Sequence, residues 1–370
     1  MVLKIVVVCV VVVLGVGDVT PSLVNPVQGS NPQPREWPCP DDAAISPCTC
    51  SITEDYDMKL DCSLVTSNEE LARVFSSVFP YTQFLELRIV QDPSDPNYDI
   101  NAIETGLFTG FSFERIIIQG TKLKVIEDHT FTDSQDLLNY LNLANNDLYS
   151  FPFEVITLYP KLATLILDDN AFTQLPSILS SSIEVLSVSG NANLQLTNFD
   201  DLTSLQEIYI GRINLDVLPP NLFMQLHYLN TIDVQGNELT DLNEYTIATP
   251  SQTLKTVIAD HNLISTIHHD TFHGLVFNAE VSMRSNLVID LFEESWKHVF
   301  DQLVPDGILD LEDNPLRCGC EMAWIMFSPE REDLQIITDT TLCSSGAQVS
   351  FLDVQFFCKF CDHIVPDVCP

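Results

Sequence analysis

The chain has 370 residues, of which 52 are Asp or Glu and only 16 are Lys or Arg, so its formal charge is −36. A chain this acidic repels nucleic-acid phosphates and anionic lipid, so neither nucleic acid nor a membrane is expected as a partner. A hydrophobic fraction of 45% is enough to build a core, which sets it apart from acidic disordered proteins.

The N-terminus sets the compartment. Lys4 is followed by an apolar run from Ile5 to Leu14 and by Gly15-Val16-Gly17, which reads as a signal peptide over residues 1–17. The run is too short to cross a bilayer, which takes roughly 20 apolar residues, and no later stretch is long enough either. Residues 18–36 carry Pro21, Pro26, Pro32 and Pro34 among polar residues and read as a flexible leader. The expected product is secreted, extracellular and soluble.

Cysteines mark the two ends. Cys9 leaves with the signal peptide, and the rest fall into Cys39, Cys48, Cys50 and Cys62 near the front and Cys318, Cys320, Cys343, Cys358, Cys361 and Cys369 at the back. An even number in an exported chain, clustered at its ends, predicts disulfide-stapled caps over residues 37–81 and 317–370.

Between the caps, residues 82–316 repeat one pattern about ten times, at intervals of about 24 residues. The clearest copy runs Leu138-Asn139-Tyr140-Leu141-Asn142-Leu143-Ala144-Asn145-Asn146-Asp147-Leu148. Further copies carry Leu165 and Leu167, Leu186 and Val188, Ile208 and Ile210, Ile232 and Val234, and Val257 and Ala259. A first unit is expected around Leu85 and Leu87. The pattern is that of the leucine-rich repeat, and it predicts an α/β solenoid, or horseshoe, with parallel strands on the concave face and little regular helix.

In each unit the two alternating apolar residues point inward and their neighbours face the open side. Asparagines 146, 170, 191, 237, 262, 286 and 314 are expected to form a buried ladder, because an amide side chain both donates and accepts. Ile213 interrupts that ladder, with Asn214 beside it as a possible substitute through a shifted turn that bends the array. On the return side, Phe108, Phe131, Phe223 and Phe272 occupy equivalent positions and should stack into a second apolar spine.

Two clusters suggest chemistry and fall short of it. His268-His269-Asp270-Thr271-Phe272-His273 lies on a convex turn with no fixed fourth ligand, so it reads as a solvated loop. Asp95, Asn97 and Asp99 open like a calcium loop, but Ile100 stands where glycine is required and Gly106 where the bidentate glutamate belongs. No nucleophile elbow, phosphate-cradling loop or metalloprotease helix is present, so no catalytic residue, metal or cofactor is expected.

Function is expected on the concave face. A middle column of outward residues runs Glu86, Ile117, Asn142, Ile166, Ser187, Tyr209, Asp233, Ile258, Ser282 and Asp310. Ile166, Tyr209 and Ile258, with Tyr140 and Arg212 nearby and Asp168, Asp169, Asp233 and Asp260 as an acidic rim, have the composition of a protein-binding surface. The same face would serve an extracellular recognition protein in immunity, adhesion or development.

The run Asn314-Pro315-Leu316-Arg317-Cys318-Gly319-Cys320 resembles the cysteine-rich caps of extracellular leucine-rich-repeat proteins. That resemblance implies pairing of Cys318 with Cys343 and of Cys320 with Cys358 or Cys361. With its leader, repeats and long C-terminal cap, the chain is also similar to the non-catalytic subunits of secreted crustacean luciferases. Membership of that family would imply a stabilising accessory protein that associates with a small secreted catalytic subunit and has no catalytic residues of its own.

Overall fold

The computed structural model describes residues 38–328 and 332–361, all of them within one compact unit. The expected signal peptide, the leader and Cys369 lie outside the described residues.

One twelve-stranded sheet organises this unit. Its strands, in chain order, are β1 Thr49–Ile52, β2 Met58–Asp61, β3 Gln83–Val90, β4 Ser112–Gln119, β5 Tyr140–Asn142, β6 Thr164–Ile166, β7 Val185–Ser187, β8 Glu207–Tyr209, β9 Thr231–Asp233, β10 Leu254–Ile258, β11 Leu275–Ser282 and β12 Ile308–Asp310. Each pairs with the next in the chain; β1 and β2 are antiparallel and all later pairs are parallel. This is a leucine-rich-repeat solenoid closed by cysteine-bonded caps.

The five central strands β5 to β9 have only three residues each because each repeat must turn out of the sheet at once. The ladder asparagines make that turn possible. Asn191 Nδ2 donates to Val188 O of its own repeat (2.8 Å) and to Leu167 O of the preceding one (3.0 Å), while its Oδ1 accepts from Phe172 N (3.1 Å). Asn146, Asn170, Asn237, Asn262, Asn286 and Asn314 repeat this geometry, so carbonyls that the curved chain would leave unpaired are satisfied.

The residue before each ladder position has a left-handed backbone. Gly120, Asn145, Asp169, Gly190, Arg212, Gly236, His261, Ser285 and Asp313 all have φ between +49° and +73°. Glycine and Asn/Asp tolerate this region, whereas Arg, His and Ser hold it at a cost in strain. The register supports it, since the amide at this position bonds the next repeat, as in Arg212 N to Gln235 O at 2.9 Å.

Three expectations need correction. The inward pair of the first unit is Leu87 and Ile89, and Leu85 is part-exposed; the pairing Arg88↔Ile117 puts Arg88, not Glu86, in the middle column. Ile213 does not shift the strand register, for β8 stays paired in step with β7 and β9. The backbone absorbs the missing amide: Asn193 N donates to Ile213 O (3.0 Å), Leu194 N to Asn191 O (3.1 Å), and Asn237 Oδ1 accepts from both Ile213 N (2.9 Å) and Leu215 N (3.1 Å). Asn214 only donates to Asn193 Oδ1 at 3.4 Å. Finally, the phenylalanine spine comes in pieces. Phe108 stacks on Phe131 (5.8 Å) and Phe223 on Phe199 (6.3 Å), while Phe272 is fully buried at the strand-like pair it forms with Ile247.

Helix is sparse, as expected, and two helices among the described residues reach eight residues or more. Helix α1, Asn68–Phe75, closes the N-terminal cap and starts in a capping box, in which Ser67 accepts from Glu70 N (3.2 Å) and Glu70 accepts from Thr66 N (2.8 Å). Helix α2, Glu293–Leu303, replaces one convex connection and buries Trp296, Val299, Phe300 and Leu303 at helical spacing.

Disulfides Cys39–Cys50 and Cys48–Cys62 staple the N-terminal cap. In the C-terminal cap Cys318 bonds Cys343 and Cys320 bonds Cys361; Cys358 is oxidised too. The cap covers the open sheet edge, with Leu309 N donating to Ile336 O (2.7 Å) and Thr338 N to Leu309 O (3.1 Å). Trp324 packs edge-on against Phe300 (5.0 Å) and donates its Nε1 proton to Leu291 O (2.8 Å), locking cap to repeats.

Candidate functional site

The strand register fixes which side chains share the open face of the sheet. Two columns face outward on either side of each buried centre: one through Glu86, Arg115, Tyr140, Thr164, Val185 and Glu207, the other through Arg88, Ile117, Asn142, Ile166, Ser187, Tyr209, Asp233 and Ile258.

From Ile117 to Ser282 the second column alternates strictly. Ile117, Ile166, Tyr209 and Ile258 are bulky and part-exposed, while Asn142, Ser187, Asp233 and Ser282 between and after them are buried. Strands lie about 4.8 Å apart, so the bulky residues stand roughly 9.6 Å from one another with short polar residues sunk between them. Ile117 belongs to this set, though composition singled out only Ile166, Tyr209 and Ile258. The alternation itself was the available signal.

The sunken polar groups are satisfied within the protein. Asn142 Oδ1 accepts from Ala144 N (3.0 Å) and Gln119 Nε2 (3.0 Å). Asp233 accepts from Gln235 N (2.9 Å) and Gln235 Nε2 (2.8 Å). Where serine occupies the column, an aspartate of the preceding repeat takes over the capping. Ser187 Oγ donates to Asp168 Oδ1 (2.6 Å), which also accepts from Ser189 N (2.9 Å), and Ser282 and Arg284 N treat Asp260 Oδ1 the same way at 2.6 and 2.8 Å.

Of the expected acidic rim, then, Asp168 and Asp260 cap backbone at the strand exits, and Asp233 lies in the floor of the column rather than on the rim. Burial pushes the carboxyls of Asp168 and Asp233 above their ordinary range. Asp169 remains at the rim, paired with the exposed Arg212 (Nη1 to Oδ1, 3.2 Å). Tyr209 donates its hydroxyl proton to Glu207 Oε2 (2.8 Å), and burial together with that bond lifts its phenol to about 12. Tyr140 sits beneath the Arg115 guanidinium at 3.9 Å, and Arg115 also approaches Glu86 (3.5 Å). The structure thus gathers Ile166, Asp168 and Asp169 with Tyr209 and Arg212 from repeats on either side of β7, with Tyr140 toward one end and Asp233, Ile258 and Asp260 toward the other.

Elsewhere, His268 Nε2 meets Glu244 (3.2 Å), His269 meets Asp270 (3.0 Å) and His269 stacks on His298 (5.3 Å). Asp92 and Asp95 cap their own turn by accepting from Ser94 N and Asn97 N, each at 2.9 Å. Among the described residues no group of three or more His, Cys, Asp or Glu side chains is placed to hold a metal ion, and no helix is long and apolar enough to cross a membrane.

No protein-family model matches the chain. Over 328 residues it is 30% identical to the Oplophorus-luciferin 2-monooxygenase non-catalytic subunit of Oplophorus gracilirostris, spanning 87% of this chain and 88% of that protein. A shorter match, 35% identical over 97 residues, relates 25% of the chain to 30% of bovine opticin. Among solved structures, a chain in the octameric complex of Latrophilin 3, Unc5D and FLRT2 superposes with a TM-score of 0.53 at 16% identity, covering 72% of this chain and 81% of that one, a likeness of fold. The chain belongs to the leucine-rich-repeat family of the Oplophorus-luciferin 2-monooxygenase non-catalytic subunit.

Proposed function

We propose that this protein is a secreted, non-enzymatic scaffold that binds another protein through the open face of its sheet, as the accessory, stabilising subunit of a small secreted catalytic subunit. The observation that carries the reading is the alternating column. Four bulky side chains project from a floor whose polar atoms are already hydrogen-bonded, so a partner can insert apolar groups between them without stranding a buried donor or acceptor. Each apolar group buried there contributes at about 25 cal/mol per Å².

Two further facts support it. Disulfides in both caps suit an oxidising compartment, and the relative at 30% identity is named as a non-catalytic subunit. Binding to the folded state alone would stabilise the partner by mass action, by about 2.7 kcal/mol at one hundred times the dissociation constant.

The test is capture from the source fluid on the immobilised protein, with the retained proteins identified by mass spectrometry. A small enzyme that gains thermal stability on binding supports the reading. A receptor or microbial-surface component would support recognition instead, and turnover by the pure protein alone would overturn the non-enzymatic reading.

A further inference from the structure

Tyr56 lies at the tip of the β1–β2 hairpin in the sequence Glu54-Asp55-Tyr56-Asp57. The turn is tight: Thr53 N donates to Asp57 O (2.9 Å), Tyr56 N to Thr53 O (3.1 Å) and Asp57 N to Thr53 Oγ1 (3.0 Å). Tyr56 has φ of +69°, a region that glycine or asparagine would enter at lower cost, and it is 84% exposed. Packing gives no reason for a large aromatic here.

Its surroundings set it apart from the other tyrosines. Of nine in the chain, Tyr56 alone has carboxylates at the two preceding positions and the following one. Tyr98 precedes Asp99 but is part-buried, and Tyr149 is exposed with Asp147 as its near acid.

We propose that Tyr56 is O-sulfated as the chain passes through the secretory pathway. The donor is a nucleotide phosphosulfate. The phenol oxygen attacks sulfur, a new S–O ester bond forms as the S–O bond to the donor phosphate breaks, the phenolic proton passes to a base of the transferase, and the nucleotide leaves with the bonding electron pair. No oxidation or reduction occurs. A transferase that holds an anionic donor has a cationic cleft, and carboxylates flanking the acceptor complement it. The hairpin tip delivers the hydroxyl into such a cleft without unpairing β1 from β2.

The ester would place a permanent anion beside an open groove of about 790 Å³ that Tyr56 lines with Pro38, Met58, Pro80, Tyr81 and Leu85. The proposal rests on the reading that the chain is secreted.

The full chain with its own leader would be expressed in animal cells, recovered from the medium and mapped by fragmentation that preserves sulfate esters. The expected result is one SO₃ increment on Tyr56, resistant to phosphatase, absent when chlorate blocks donor synthesis and absent in Tyr56→Phe. Unmodified Tyr56 in disulfide-bonded protein from the medium overturns the proposal alone, as does an increment that phosphatase removes. Chain that never reaches the medium overturns this proposal and the secreted reading together.

Discussion

Arg212 and Asp169 belong to repeats two apart, and they meet over Gly190, with Arg212 Nη1 3.2 Å from Asp169 Oδ1. All three occupy the left-handed position before a ladder residue, so their side chains lie in one file along the rim. The contact can skip a repeat because Gly190 has no side chain to stand between them. A Cβ there would overlap the Asp169 carboxylate and come within 3.2 Å of its Cα.

Gly190→Ala should therefore destabilise the protein by more than about 1 kcal/mol, since φ of +73° and the overlap act together. Urea unfolding checks this. Equal stability of the variant would show that the rim relaxes.

Arg212→Gly separates strain from ion pairing. Relief of the left-handed backbone is worth about 1–2 kcal/mol, against loss of an exposed ion pair of at most about 1 kcal/mol and a glycine entropy cost of about 0.5–1 kcal/mol. Stability should stay within about 1 kcal/mol of wild type by the same measurement.

Asn237 accepts two amides of the preceding repeat, because its Oδ1 takes both Ile213 N and Leu215 N where Ile213 offers no side-chain amide. Asn237→Ala should cost about 3 kcal/mol, as buried amides lose their acceptor. Amide hydrogen exchange should rise at Ile213 and Leu215 first.

Much of this was legible in the sequence and some was not, for identifiable reasons. Leucine and asparagine spacing gives the repeats because an inward side chain and a ladder amide are both required in every turn. The first unit slips because Leu85-x-Leu87 and Leu87-x-Ile89 both fit the apolar pattern, and only pairing with Ile117 chooses between them. The rim was misjudged at Asp233, where charge suggests exposure but the side chain caps Gln235 N in the floor. Helix α2 had a readable pattern in Trp296, Val299, Phe300 and Leu303, hidden under the expectation of irregular convex turns.

Acid titration tests the floor. The folded Asp233 carboxyl binds its proton more tightly than the unfolded one, so its contribution to stability falls as pH rises from the ordinary value of 3.8 through the raised folded value. Asp233→Asn abolishes that fall, and Asn142 shows that an asparagine in this column can still cap the residue two ahead. The variant should gain on wild type as pH rises through this window and match it below, as read from urea midpoints. A constant offset at all pH values would contradict the assignment.

The central claim is that the alternating column binds the partner, and affinity after disrupting it is the direct measure. The proteins captured from the source fluid would be titrated against wild type, Tyr209→Ala and Ile166→Asp, each with unchanged circular dichroism. The account predicts weakening of roughly 30-fold or more for each variant, corresponding to at least about 2 kcal/mol. Unchanged affinity in both variants would contradict it.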